Sequence, residues 1–161
     1  MSVTRYFKKC GDFSLCSSIG DANEIHVEHA RERTSMYQIM VRGSGKMGVP
    51  FDDSFTEIAT APAFVDIKKY MGKHTIFHSH ESFIMYGFNT LDKRQLWDAK
   101  IVTESFRGND ECRLVCFDGR PVINGVELER MDYAKLEDKD YDVQINDGLV
   151  GLFWKIKEEE W

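Results

Sequence analysis

The histidines carry the sharpest chemical signal in this chain. Three of the five fall in the run Lys73-His74-Thr75-Ile76-Phe77-His78-Ser79-His80-Glu81. Read as a strand, the run sets His74, His78 and His80 on one face with Ile76, and Thr75, Phe77 and Ser79 on the other. Alternate residues of a strand project in parallel about 7 Å apart, near enough for two imidazoles to lean onto one divalent ion at about 2.1 Å each. His78 and His80 are the best pair, and Glu81 adds an oxygen ligand if the strand ends there and the chain turns. The other two histidines stand in Glu24-Ile25-His26-Val27-Glu28-His29, where His26 and Glu28 share one strand face and His29 takes the other. If that strand neighbours residues 75–80, His26 and Glu28 complete a three- or four-ligand site for iron, manganese, nickel or zinc. The plainer alternative is a row of polar residues on the solvated face of an antiparallel sheet.

Other constellations are weaker. Gly43, Gly45 and Gly48 are not followed by Lys-Ser/Thr at the spacing of a phosphate cradle, and read as hairpin glycines. Ser79 and Ser82 sit near histidines without the Gly-x-Ser-x-Gly turn that would expose a nucleophile, so no catalytic residue is assigned. The four cysteines, Cys10, Cys16, Cys112 and Cys116, lack Cys-x-x-Cys spacing. With residues 113–117 as a strand, Cys112 and Cys116 share a face with Leu114 as small apolar fillers, and free, buried thiols are expected; a disulfide or metal role is the alternative.

Short β-type runs must position these residues. Segments 25–29, 36–42, 64–67, 75–80, 83–88, 100–106, 113–117, 141–145 and 149–156 are each rich in β-branched or aromatic residues. Between them, Gly43-Ser44-Gly45, Asp118-Gly119, Asn124-Gly125 and Asp147-Gly148 supply turns that tolerate positive φ. Residues 91–97, preceded by the capping candidates Asn89 and Thr90, form the one expected helical segment. Nine strands with hairpin punctuation predict a sandwich or barrel.

Composition bounds the partners. A chain of 161 residues, 42% hydrophobic, buries a proper core but is short for two independent domains. Its 21 Lys and Arg against 27 Asp and Glu, net −6, give no broad attraction for nucleic acid or an anionic membrane surface. The apolar runs are short and the start lacks the apolar run of a signal peptide, so a soluble cytoplasmic protein is expected.

From Asp110 onward the chain resembles the cupin family of small jelly-roll barrels, over roughly the last fifty residues. Asp110 to Gly119, DECRLVCFDG, is similar to the Glu-containing strand that enters a glycine turn in that family's first motif. The following RPVINGVELERMDYAKL resembles its hairpin, with Asn124 and Gly125 at the tip and Asp132 at the strand entry. TSMYQIMVRGSGKM, followed by FVDIKKYMG, is a weaker echo in the first half. The chain departs from metal-bearing cupins in having no His-x-His before Glu111 and no histidine after His80. Glu111 alone holds no iron or manganese ion with useful affinity.

The HSHE run also resembles JAMM-type metallopeptidases, but Glu81 stands where that family has Pro, and Asn89 falls near its Ser. The cupin resemblance implies an all-β jelly-roll or cupin-like barrel with one short helical segment. It spans residues 1–161 as one domain, with two similar halves of about 15–90 and 91–161 as the other arrangement. The function implied is non-catalytic, a small-ligand-binding or interaction and assembly subunit forming a homo-oligomer. The alternative is a metal-dependent cupin-type enzyme acting on a small organic or sugar-derived substrate through the His74, His78 and His80 strand.

Overall fold

Turn residues held where few side chains are tolerated fix the hairpins. A computed structural model describes residues 4–29, 35–66, 70, 72–137 and 140–160, with backbone alone at 4–10, 26–29, 35–37, 54–55 and 158. Asn124 and Gly125 have φ of 47° and 82°, which matches a two-residue hairpin of type I′. Gly43, Gly119 and Asp147 are also left-handed, as the turn chemistry implied.

The chain divides into two compact units, Met1–Lys93 and Arg94–Trp161. The first holds β1 (Thr4–Cys10), β2 (Phe13–Gly20), β3 (Ile25–His29), β4 (Ser35–Arg42), β5 (Ser44–Val49), β6 (Asp52–Thr60), β7 (Ala63–Asp66), β8 (His74–Ser79) and β9 (Phe83–Thr90). Its sheets run β1-β2-β9-β4-β7 and β3-β8-β5-β6. The second holds β10 (Leu96–Val102), β11 (Phe106–Gly108), β12 (Cys112–Asp118), β13 (Val122–Ile123), β14 (Val126–Glu127), β15 (Tyr133–Leu136), β16 (Tyr141–Gln144) and β17 (Leu149–Ile156). Its sheets run β10-β17-β12-β15 and β11-β16-β13-β14. Raising each strand number of the first unit by eight reproduces the second, with β1 an added edge strand. Two antiparallel sheets between which the chain repeatedly crosses make each unit a jelly roll. Among the described residues no helix is long and apolar enough to cross a membrane.

Each unit buries the space between its sheets. In the first, Met40, Val65 and Met85 of one sheet meet Met47, Ala59 and Phe77 of the other. In the second, Cys112, Leu114, Cys116 and Leu152 meet Ile123 and Val143. Cys112, Leu114 and Cys116 thus share a buried face as alternation requires, and both thiols are free. Burial pushes the Cys116 thiol up to about 11 and raises that of Cys112 as well. The Cys10 side chain lies outside the described residues.

Three local expectations are corrected. Residues 91–97 are not helical: a turn follows β9, and Leu96 and Trp97 already belong to β10, both buried. The strand expected over 100–106 instead ends at Val102, and β11 begins at Phe106 in the other sheet. Between them the Ser105 hydroxyl accepts a hydrogen bond from the Ile145 amide at 2.8 Å, so a side chain replaces a ladder bond where the chain changes sheets. Gly43, Gly45 and Gly48 close no hairpin: Gly43 is left-handed where the chain passes from β4 to β5 in the other sheet, and Gly45 and Gly48 lie within β5. A Cβ on Gly45 would run into the Phe77 ring and come within 2.7 Å of the His78 carbonyl oxygen.

One buried charge was not foreseen. On the face of β12 opposite the cysteines, Arg113 is 2% exposed. Its Nη2 lies 3.1 Å from the Glu111 carboxylate, and its guanidinium carbon sits 5.4 Å from the centre of the Trp97 ring. Lys155 reaches the same carboxylate at 3.6 Å. The hydrogen bond from Arg113 holds the Glu111 carboxyl below its ordinary range.

Two predictions follow from this packing. Gly45→Ala is expected to lose roughly 1–3 kcal/mol in urea unfolding, because the added methyl must displace backbone and a buried ring; an unchanged midpoint would contradict that close approach. A lowered carboxyl supplies stability that is present at neutral pH and vanishes as pH falls below the ordinary carboxylate range. Wild type should therefore exceed Glu111→Gln in stability at neutral pH, and the gap should be smaller at acidic pH, below the ordinary carboxylate range. A gap of equal size at both pH values would show that the ion pair is not its source.

Candidate functional site

The imidazoles stand where strand alternation puts them. Along β8, His74 and His78 are exposed, as is His80 just beyond its end, with Ile76 half-buried on the same face, while Thr75, Phe77 and Ser79 are buried. Ser79 fixes this phase: its hydroxyl donates to the Asp21 carbonyl at 2.6 Å and accepts from the Glu24 amide at 2.9 Å. The His78 and His80 ring centres lie 6.0 Å apart, edge to face. The strand does end before Glu81, whose carboxylate accepts a hydrogen bond from the Ser44 hydroxyl at 2.7 Å.

The first histidine cluster lies on the neighbouring strand, but in the other phase. β3 pairs with β8 so that Ile25 is opposite His78, His26 opposite Phe77 and Glu28 opposite Thr75. Directly opposed residues share a sheet face. Positions 26 and 28 therefore fall on the face of Phe77 and Thr75, and the register does not bring them to His78 and His80. The side chains of His26 and Glu28 lie outside the described residues. Among the described residues, no three His, Cys, Asp or Glu side chains are gathered to hold a metal ion. Among the described residues the donors brought together are the His78 and His80 pair on an exposed face. Glu111, from the cupin-like motif, is 42% exposed and already occupied by Arg113 and Lys155.

Sequence reading overlooked a polar group inside the first jelly roll. Gln38 of β4 sits opposite Val65 and Gly87, in phase with Met40, and so faces the space between the sheets. It is 5% exposed, and its Oε1 has no hydrogen-bond partner among the described residues. Beside it there is room: among the described residues a Cβ on Gly87 would meet only the Cys16 carbonyl oxygen, at 3.8 Å. Tyr70, buried in the same core, donates its hydroxyl to Glu57 at 2.9 Å, and burial and that bond raise its pKa well above the ordinary phenol value. The available signal was a glutamine amid the apolar residues of SMYQIMVR.

In the second unit an open surface cavity of about 430 Å³ is lined by Asp118, Gly119, Arg120, Glu129 and Arg130. Its charges largely compensate one another, and Arg120 also pairs with Glu127 at 3.3 Å. Asp132, at the strand entry of the cupin-like motif, accepts the Glu129 amide at 2.7 Å and so serves the turn before β15.

No protein-family model and no curated protein matches this chain. Solved structures do. HutD from Pseudomonas fluorescens SBW25 matches with a TM-score of 0.65 at 10% identity, over 97% of this chain and 96% of that one. The bacterial pirin YhhW from Escherichia coli, solved in complex with nickel(II), matches with a TM-score of 0.57 at 11% identity, over 94% and 95%. A cupin 2 conserved barrel domain protein from Leptotrichia buccalis matches with a TM-score of 0.56 at 7% identity, over 96% and 89%. At such identities the likeness is one of fold: this chain has a cupin-like jelly-roll fold.

Proposed function

We propose that this chain is a non-catalytic cupin-fold protein that binds a small polar molecule inside its first jelly roll and works as a subunit of a homo-oligomer or larger assembly. One observation supports the ligand most directly: the Gln38 oxygen, without a partner among the described residues, beside the space at Gly87. An acceptor buried without a donor costs about 1–3 kcal/mol. A ligand carrying an N–H or O–H group removes that cost on binding, while Met40, Val65 and Met85 offer it apolar contact. In the second unit Arg113 meets Glu111 and Trp97, the Tyr141 hydroxyl meets Cys112 and the Asp110 carbonyl, and the two thiols are raised rather than poised for reaction.

A second reading, metal-dependent chemistry on a small organic or sugar-derived substrate, draws on the nickel(II) complex of the Escherichia coli pirin and on the His78 and His80 pair. It requires donors beyond that pair. Tag-free protein retaining about one equivalent of iron, manganese, nickel or zinc, lost on replacing both histidines with alanine, would favour it.

A thermal-shift screen of hydroxyl- and amine-bearing small molecules tests the first reading. A hit should raise the melting temperature of the wild type but not of Gln38→Leu or Gly87→Val. Gln38→Leu without ligand should be as stable as wild type or more stable, by about 1 kcal/mol, since it removes a buried acceptor without a partner. If Gln38→Leu instead destabilises the protein and leaves the ligand shift intact, Gln38 is structural and the proposal is wrong.

A further inference from the structure

The exposed face of the sheet β3-β8-β5-β6 presents a metal-binding half-site, and we infer that zinc bound by His78 and His80 joins two copies of this chain through it. Two metal–nitrogen bonds of about 2.1 Å with a tetrahedral angle place imidazole centres about 5 Å apart. The observed 6.0 Å between the His78 and His80 rings is within reach of that by small side-chain rotations. Both rings are exposed, His78 on β8 and His80 just past its end.

The pair leaves a tetrahedral ion half coordinated. Glu81, the nearest carboxylate in sequence, is hydrogen-bonded to Ser44, and among the described residues no third His, Cys, Asp or Glu joins the pair. The described residues supply no further donor, and the missing ones are inferred to come from a second chain. A second copy related by a two-fold axis supplies the same two imidazoles, because an isologous contact presents one patch to itself. The surroundings suit such a contact. His78 lies in a register row with Ile25 on one side and Lys46 then Ile58 on the other. Ile25 is 65% and Ile58 71% exposed, an apolar rim on either side of the metal position. Each chain carries a net charge of −6, and a divalent cation on the axis offsets part of the resulting repulsion. Lys46 opposes it, as a cation beside His78.

The experiment uses the tag-free full chain, stripped with chelator and titrated with zinc chloride under multi-angle light scattering. The apparent mass should double at one ion per two chains and return on adding chelator. His78→Ala and His80→Ala should each abolish the doubling. His74→Ala, which removes the other described histidine of that face, should retain it, and Lys46→Ala should reach half-doubling at lower zinc. Zinc uptake by the pair with no change in mass, doubling that survives the His78→Ala, His80→Ala double variant, or loss of doubling in His74→Ala would each overturn the inference. None of these readouts depends on the interior site at Gln38.

Discussion

The phase of β8 depends on one small side chain. Ser79 is wholly buried, and its hydroxyl ties the end of the strand to the Asp21 carbonyl and the Glu24 amide in the loop before β3. Because strand side chains alternate with period two, a slip of one residue would exchange the two faces of this sheet. Phe77 would then leave the core, where it packs edge to face on Phe83 with ring centres 4.9 Å apart. The imidazoles would go in to replace it. Gly45 enforces the same phase from the opposite strand, since only a residue without Cβ lets β5 approach the Phe77 ring. Histidines outside and aromatic ring inside are thus two results of a single constraint.

The same sheet order, laid down twice, encloses two different interiors. β4 and β12 hold equivalent places in their sheets, yet β4 sends Gln38 and Met40 inward whereas β12 sends Cys112, Leu114 and Cys116. Topology is set by hairpin geometry and apolar patterning, both of which tolerate such exchanges so long as volume is kept. The chemistry of an interior is therefore decided by very few positions, and likeness of fold at about a tenth of identical residues does not carry it across.

Much of this architecture could be read from the chain. The strand pattern at β3, β8, β9, β12, β16 and β17 was visible because β-branched and aromatic runs there end at turn residues. The two stretches that resemble one another in sequence, 34–47 and 110–119, contain the equivalent strands β4 and β12. What escaped was whatever local sequence does not determine. β5, with glycines at 45 and 48, resembles a turn until the ring of Phe77 is placed against it. Residues 91–97 carry helical caps and charges, but Leu96 and Trp97 gain more from the buried sheet than a single helical turn offers. At the histidines, alternation predicted which residues share a face. It was silent on which face looks outward, and on the register that sets His26 opposite Phe77 rather than beside His78.

Two buried polar side chains, neither flagged by its neighbours in sequence, show how differently a jelly roll can treat such groups. Arg113 is enclosed with a carboxylate at 3.1 Å and an aromatic face at 5.4 Å, so its charge is met on both counts. The pair is half open, with Glu111 42% exposed, so the carboxylate reaches the buried guanidinium from the surface. Gln38 is enclosed to a similar degree, and its oxygen meets no donor among the described residues. A leucine would occupy the position without that cost, and the surrounding methionines would accept one readily. Packing alone therefore gives no reason for an amide at this point of β4, whereas a bound molecule that donates a hydrogen bond does. On the reading proposed for this chain, its specificity lies with that one acceptor and the missing side chain at Gly87, while the exposed histidines answer to metal and to a second copy.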